Sequence, residues 1–437
     1  MDRRKFIKTI GLGAASLAVP CRVGAAAGRS AKPPRGKPNI VLIMADDLGY
    51  ECLGCDGGAS YSTGVLDGLA AGGIRFEHCY SQPLCTPSRL KIMTGRYNFR
   101  NYTYFGALDP KEKTFGHLMQ SAGYRTCIVG KWQLAARDGG EGTYPDKAGF
   151  DEHCLWQVDR RESRYRNPVI VQNGKYRQDL KDKYGPVVFC EYALDFIERN
   201  KNRPFFLYYP MVLTHAPFEP TPDTEEWKRG IKKRDSKHFA DMVAYMDKII
   251  GRIVEKLDRL GLRNDTLILF TGDNGTHVSI RSRMKDGRVI QGGKGFTTDG
   301  GTHVPLIANW PGTIPAGKVC SDLVDFSDFV PTLAEVAGTR VGWEIDGRSF
   351  LPQLLGRRGN PREWIYVWYR RNPRDTLYRF ARDRRWKLYD NDKHQRAGKL
   401  FDVSTDPLEQ NPIEAGSGGA EAEAARKKLR AVLDSMR

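Results

Sequence analysis

The chain has 437 residues, 40% of them hydrophobic and 28% charged, and no stretch past its N-terminus is long and apolar enough to cross a bilayer. That length exceeds one small domain and predicts a large sheet-based domain with a smaller appendage, without internal repeats or extended low-complexity segments. The formal net charge of +17 suits a polyanionic partner; nucleic acid is excluded as that partner, because no recognised binding motif accompanies the charge and the chain carries an export signal.

The export signal comes first. Asp2-Arg3-Arg4-Lys5-Phe6-Ile7-Lys8 precedes an apolar stretch at 10–20 and the small residues Ala25-Ala26-Ala27, a pattern that reads as a twin-arginine signal over residues 1–27. It implies the twin-arginine export machinery as a partner, a periplasmic or secreted location and no stable membrane anchor. Pro20 directly before Cys21 argues against lipoprotein processing there. Nine cysteines in a chain this long make no disulfide framework, and folding before export takes place under reducing conditions, so mostly free, buried thiols are expected. Cys52-Leu53-Gly54-Cys55 has redox or half-zinc spacing, but no second pair follows, which favours a structural role.

Apolar runs then stop, one after another, on polar residues. Asn39-Ile40-Val41-Leu42-Ile43-Met44 ends in Asp46-Asp47, and Thr126-Cys127-Ile128-Val129 leads to Gly130-Lys131-Trp132. The run at 204–209 leads through Met211-Val212-Leu213 to His215, and Thr266-Leu267-Ile268-Leu269-Phe270 ends in Gly272-Asp273-Asn274-Gly275. Uninterrupted runs of this length predict parallel strands buried on both faces, and open α/β sheets bind ligands outside the carboxyl ends of such strands. Between the first two runs lies Cys85-Thr86-Pro87-Ser88-Arg89, then Met93-Thr94-Gly95-Arg96, with a helix predicted to open after Pro87. Phe239, Met242, Met246, Ile249, Ile250, Ile253, Val254 and Leu257 fall at helical spacing and predict a core face. Lys294 follows in the loop Gly292-Gly293-Lys294-Gly295.

Each feature alone has a plainer reading. Asp-Asp after a strand caps a helix or fills a turn, Gly-Asp-Asn-Gly is ordinary turn composition, and a single histidine or a lysine in a glycine-rich loop needs no ligand. Together they supply one chemistry. Asp46, Asp47, Asp273 and Asn274 offer only oxygen ligands, the set a hard divalent cation such as calcium or magnesium takes. Arg89, Lys131 and Lys294 supply charge for an oxyanion, and His215 is of the type that protonates a leaving oxygen.

Cys85-Thr86-Pro87-Ser88-Arg89 resembles the site at which type I sulfatases, of the alkaline phosphatase-like superfamily, convert cysteine to Cα-formylglycine. The other motifs follow in that family's order. Thr63-Gly64-Val65-Leu66-Asp67, Gly73-Ile74-Arg75-Phe76, Thr114-Phe115-Gly116-His117-Leu118, Gly300-Gly301-Thr302-His303-Val304-Pro305 and Asp325-Phe326-Ser327-Asp328-Phe329 also look like its helices and strands. The resemblance implies a formylglycine made from Cys85 by a maturation enzyme. Its hydrate attacks the sulfur of a sulfate ester and later expels sulfate. It also implies one Ca2+, with Mg2+ as the alternative, held by Asp46, Asp47, Asp273, Asn274 and the residue formed from Cys85. Arg89, Lys131, His215 and Lys294 are its implied catalytic residues, and the basic charge suits a sulfated carbohydrate as substrate.

One position departs from the family pattern. Gly130-Lys131-Trp132-Gln133-Leu134 has glutamine where the family usually has histidine, and an amide cannot take a proton near neutral pH. Gln133, His277 and His303 are therefore carried as substrate-binding candidates, with the two histidines as possible replacement bases. Two other readings stand beside sulfate ester hydrolysis: a phosphonate or phosphate ester hydrolase of the same superfamily, and a catalytically weak protein that binds sulfated glycans. The implied fold is a large, mixed, mostly parallel sheet sandwiched by helices over residues 38–356. A small antiparallel sheet with a helix follows over 357–437, the charged turn-former Arg357-Arg358-Gly359-Asn360-Pro361-Arg362 marking the boundary. In that last part, strands are expected at 364–369, 385–389 and 400–403, and a helix at 420–436.

Overall fold

Apolar runs without helical period become the centre of a sheet. The computed structural model describes residues 36–136, 141–391 and 396–436; the export signal read at 1–27 lies outside them. The first twelve strands among the described residues are β1 (Asn39–Ala45), β2 (Ile74–Tyr80), β3 (Arg125–Lys131), β4 (Glu152–Trp156), β5 (Ile170–Gln172), β6 (Lys175–Tyr176), β7 (Phe205–Pro210), β8 (Thr266–Gly272), β9 (Arg281–Arg283), β10 (Val289–Gln291), β11 (His303–Asn309) and β12 (Lys318–Asp325). Ten of them form one mixed sheet in the order β12-β2-β11-β8-β1-β7-β3-β4-β5-β6, and β9 with β10 makes a separate hairpin.

The four runs that end on polar residues are neighbours in that sheet. β8, β1, β7 and β3 lie side by side and parallel, so their carboxyl ends emerge at one edge. Every residue of β1 and β8 is buried, because helices cover both faces. Val41 and Ile43 pack with the helices Gly185–Arg199 and His238–Arg259. Ile40, Leu42 and Met44, turned the other way by the strand's period of two, pack with Cys85–Thr94, Phe115–Ser121 and Phe329–Val336. On His238–Arg259 the expected core face is buried except Val254, which is half-buried. Burial of each such side chain contributes roughly 1.5–3 kcal/mol, so packing and not propensity fixes that helix.

The helix predicted to open after Pro87 opens at Cys85. Proline is tolerated in a first turn, where its missing N–H has no intrahelical partner. All ten residues of Cys85–Thr94 are buried. Lys91 donates from that helix to Asp325 Oδ2 (2.6 Å) and to the carbonyl of Tyr366 (3.1 Å). Tyr366 belongs to a second, antiparallel sheet of β13 (Ile365–Tyr369), β14 (Tyr378–Arg382), β15 (Trp386–Asn391) and β16 (Leu400–Asp402). The helix Gly419–Ser435 covers it with Ala422, Ala425, Leu429, Val432 and Leu433. The fold class is therefore the expected one, a large mixed and mostly parallel sheet between helices with a small antiparallel sheet after it. Among the described residues no helix is long and apolar enough to cross a membrane. The eight described cysteines are free, and six of them are buried.

Candidate active site

At the carboxyl edge of the parallel strands, four elements bring charged side chains together. Asp46 and Asp47 follow β1, Asp273 and Asn274 follow β8, Lys131 ends β3, and His215 lies in the connection after β7. Gly130 lets Lys131 reach the site: its φ is +116°, and a Cβ there would sit 2.1 Å from the carbonyl oxygen of Pro210. Gly293 does the same for Lys294, since a Cβ would lie 2.4 Å from the carbonyl carbon of Gly300.

Each charge has partners. Lys131 Nζ donates to both oxygens of Asp46 at 2.9 Å, and Arg164 Nη1 donates to Asp46 Oδ2 at 3.2 Å. Lys294 Nζ donates to Asp47 Oδ2 at 2.6 Å, and His215 Nε2 lies 3.7 Å from the same oxygen. Arg89, one turn along the helix from Cys85, donates to Asp273 Oδ2 (3.2 Å) and to the Lys131 carbonyl (3.1 Å). Cys85 is buried at the mouth of that helix, and its Sγ donates to Gln133 Oε1 at 3.1 Å. His215 is oriented from both sides. Its Nδ1 faces the Ala216 carbonyl, and the Tyr165 hydroxyl donates to the His215 carbonyl at 2.5 Å. The first contact makes Nδ1 the N–H and leaves the Nε2 lone pair to the site.

Burial works against three ionised carboxylates in one place. It pushes Asp273 up to about 7, with Asp46 adding repulsion and Arg89 and Lys131 opposing. Burial also disfavours charge on Asp46, but Lys131, with His215, Arg89 and Arg164, outweighs it and holds that group well below the usual carboxylate range. Asp47 is likewise lowered, through His215 and Lys294, against burial. Burial drives His215 down to about 3 despite Asp47 and Asp46, so its imidazole is neutral. Burial disfavours charge on Lys294, but Asp47, Cys85 and Asp46 together outweigh it and raise that group.

The donor set fits a divalent cation. Asp46, Asp47 and His215 offer ligand atoms within 4.8 Å of one another. Asn274 Nδ2 donates to Asp47 Oδ1 at 2.9 Å, while the buried Asn274 Oδ1 meets no donor among the described residues. A cation is the partner that satisfies such an oxygen and relieves the repulsion from Asp46 that adds to burial at Asp273. Asp47 and Gln133 hold φ of 63° and 62°, a left-handed conformation that costs a non-glycine residue about 1–3 kcal/mol.

Ten of the twelve candidates read from the sequence meet here directly, and His277 joins them on the wall of the adjoining cavity of about 680 Å³, beside His215 and Lys294. His303 lies elsewhere. It stacks between Tyr50 and Tyr80, at ring distances of 4.2 and 5.0 Å, and its Nε2 meets the Glu77 carbonyl at 2.8 Å. Arg164 escaped the sequence reading: it stands among Arg160, Arg161 and Glu162 with no motif, and only the fold carries it 118 residues back to Asp46. The turn between β13 and β14 also reaches the cavity, through Tyr369, Arg371, Arg374 and Tyr378.

A carboxylate cluster ringed by cations at the carboxyl edge of this mixed sheet defines an alkaline phosphatase-like hydrolase. The profile of the family described as Sulfatase matches residues 38–339, and one described as N-sulphoglucosamine sulphohydrolase, C-terminal, matches residues 293–437. Human (Homo sapiens) arylsulfatase A is 34% identical over 366 residues, covering 76% of this chain and 70% of the relative. N-acetylgalactosamine-6-sulfatase of Canis lupus familiaris is 34% identical over 377 residues, covering 78% and 70%. A crystal structure described as Ps i-CgsB in complex with k-i-k-neocarrahexaose aligns with a TM-score of 0.76 at 28% identity, over 91% of this chain and 92% of that one. The chain belongs to the sulfatase family, and it is a sulfuric ester hydrolase.

Proposed function

We propose that this chain removes sulfate from a sulfated carbohydrate, with Cys85 as the residue converted to formylglycine and Asp46, Asp47, Asp273 and Asn274 as ligands of one Ca2+. The observation that carries this reading is the position of Cys85. It opens a buried helix 3.1 Å from Gln133, one turn from an arginine tied to Asp273. The names of two similar proteins support the substrate class, one an N-acetylgalactosamine-6-sulfatase and the other crystallised with an oligosaccharide. When present, the hydrated aldehyde supplies a hydroxyl nucleophile and the cation polarises the sulfate oxygens.

The remaining work falls to side chains of the chain. Arg89, Lys131 and Lys294 are held by carboxylates and carbonyls, so their charge is in place before the sulfate arrives and needs no reorganisation. His215 presents Nε2 towards Asp47, and the charge of a bound sulfate adds to that of Asp47 in favouring the imidazolium that protonates the leaving oxygen. Gln133 hydrogen-bonds at residue 85 without accepting a proton, which makes sulfate release the slower half of the cycle unless another group serves as base. His277 is one candidate base, on the wall that carries His215 and Lys294.

The domain reading is a catalytic part over 38–356 and a C-terminal part over 357–437, in keeping with the second sheet beginning at Ile365. Export by the twin-arginine route and conversion by a maturation enzyme complete the proposal. The test is sulfate release, followed by ion chromatography, from sulfated oligosaccharides beside aryl phosphate and aryl phosphonate esters. Sulfate release that falls more than about a thousandfold in Cys85→Ala is expected. Faster cleavage of phosphate or phosphonate, or binding of sulfated glycans with no sulfate released, would overturn it.

A further inference from the structure

Two recesses share Arg371 beside the candidate site, and the charge on the smaller one is unspent. The larger is the cavity that carries His215 and Lys294. The smaller, about 130 Å³, is lined by Gln133, Gln157, Asp159, Arg161 and Arg371 among others, and Arg371 lines both. Gln133, which accepts from Cys85 Sγ, makes the small recess continuous with the site.

Arg161 and Arg371 are exposed, and neither guanidinium has a carboxylate or hydrogen-bond partner among the described residues. The Arg371 guanidinium lies over the ring of Phe105, at 5.3 Å, while its carbonyl accepts from the Tyr102 hydroxyl at 2.6 Å. Arg164, three residues from Arg161, shows the contrast, for it is fixed on Asp46. The one carboxylate in the recess, Asp159, is engaged by the Tyr176 hydroxyl. The floor is strained as well: Gln133, Ala136 and Gln157 are non-glycine residues with φ of 62°, 64° and 57°, and Gln133 N donates to the Gln157 carbonyl at 2.9 Å. Strain of this kind persists where a binding surface needs the conformation.

We propose that this recess is a second anion subsite, in which Arg161 and Arg371 hold a carboxylate or a second sulfate borne by the same saccharide beside the sulfate that is cleaved. The inference rests on the reading of the chain as a carbohydrate sulfatase. A guanidinium fork without an acceptor selects an oxyanion over a neutral hydroxyl, and two such forks suit a group with two or three equivalent oxygens. The recess holds the space of a few water molecules, which fits one anionic substituent and not a further sugar ring. Gln133 and Gln157 each supply both donor and acceptor for neighbouring hydroxyls.

The test uses full-length Cys85→Ala, which cannot turn over, and calorimetric binding of galactose-based disaccharides carrying one sulfate, two sulfates, or one sulfate and one uronate carboxylate, with the sulfate position varied. At least one dianionic series should bind about tenfold tighter than its monosulfated counterpart, and the series that does identifies the second anion. Adding Arg161→Gln and Arg371→Gln should bring that ratio to within about twofold, and Arg371→Lys should restore part of it. Equal affinity across the series, no binding of any of them, or a ratio unchanged in the double variant would overturn the subsite. Sulfate release by the unsubstituted chain separates the two readings. Release without the dianion preference removes the subsite alone, and the preference without release removes the hydrolytic reading alone.

Discussion

Two of the buried ionic clusters among the described residues are built differently. The first is the active site at the carboxyl ends of β8, β1, β7 and β3. The second sits against the C-terminal sheet, where Arg382 Nη1 donates to both oxygens of Asp299 at 2.8 Å and Lys387 donates to Glu409 Oε1 at 2.8 Å and Asp299 Oδ1 at 3.4 Å. Tyr389 donates to Glu409 Oε2, Tyr80 adds a further bond to Asp299 Oδ2 at 3.4 Å, and Asp299 N donates to Glu409 Oε1 at 3.0 Å. There Arg382 and Lys387 overcome burial and hold Asp299 below the usual carboxylate range. In the active site Asp273 is instead pushed up to about 7, Asn274 Oδ1 has no donor, and Asp47 and Gln133 are strained. A buried cluster that satisfies itself joins two sheets; one left short of a cation and opening on a cavity binds.

Substitutions should separate the two. Lys387→Met removes the cation between two buried carboxylates, for which a loss of about 3–5 kcal/mol in urea unfolding is expected, with kcat per folded molecule changed less than twofold. A kcat that falls in step with stability would erase the distinction. Asp46→Asn acts on the other cluster. Sulfate release should drop at least about 100-fold and recover in part at high calcium, and the parent enzyme should lose activity in strong chelator; full activity after chelation, with no metal by elemental analysis, would refute the cation.

His303, in contact with the second cluster through Tyr80, makes stability depend on pH. Burial holds its pKa down to about 4 in the folded chain, against about 6.5 unfolded. Because the folded value is the lower one, its contribution is intact above about pH 6.5 and is lost as pH falls from there towards 4, about 2 kcal/mol by pH 5. His303→Gln should flatten that part of the stability profile, read by denaturant titrations at pH 7, 6 and 5, whatever its offset at pH 7. An unchanged slope would place the titration elsewhere. The smallest effect belongs to Gln133→His, which should raise the steady rate a few-fold and remove a pre-steady-state burst of alcohol product. No burst in the parent, with a rate unchanged or lowered in the variant, would mean that sulfate release was never limiting.

What could be read without the fold was whatever burial imprints on the chain. β1, β3, β7 and β8 are buried on both faces, so each shows as an unbroken apolar run whose polar end marks the site edge. The face of His238–Arg259 was legible for the same reason. β5, β6, β9 and β10 are two- or three-residue strands at a sheet edge or in a small hairpin, too short to show a period. β14, Tyr378–Arg382, was hidden by its arginines, of which Arg382 is buried only because Asp299 receives it. Arg164 and the Tyr50–His303–Tyr80 stack rest on contacts between segments far apart in sequence, which no local pattern records.

The proposed chemistry depends on conversion of Cys85 to formylglycine. Peptide mass spectrometry of the chain, purified from a host that carries formylglycine-generating machinery and matched to its rate of sulfate release, decides whether that conversion occurs. An aldehyde or its hydrate at residue 85 is expected, in a fraction that tracks activity across preparations. An unmodified Cys85 thiol in fully active protein would contradict it.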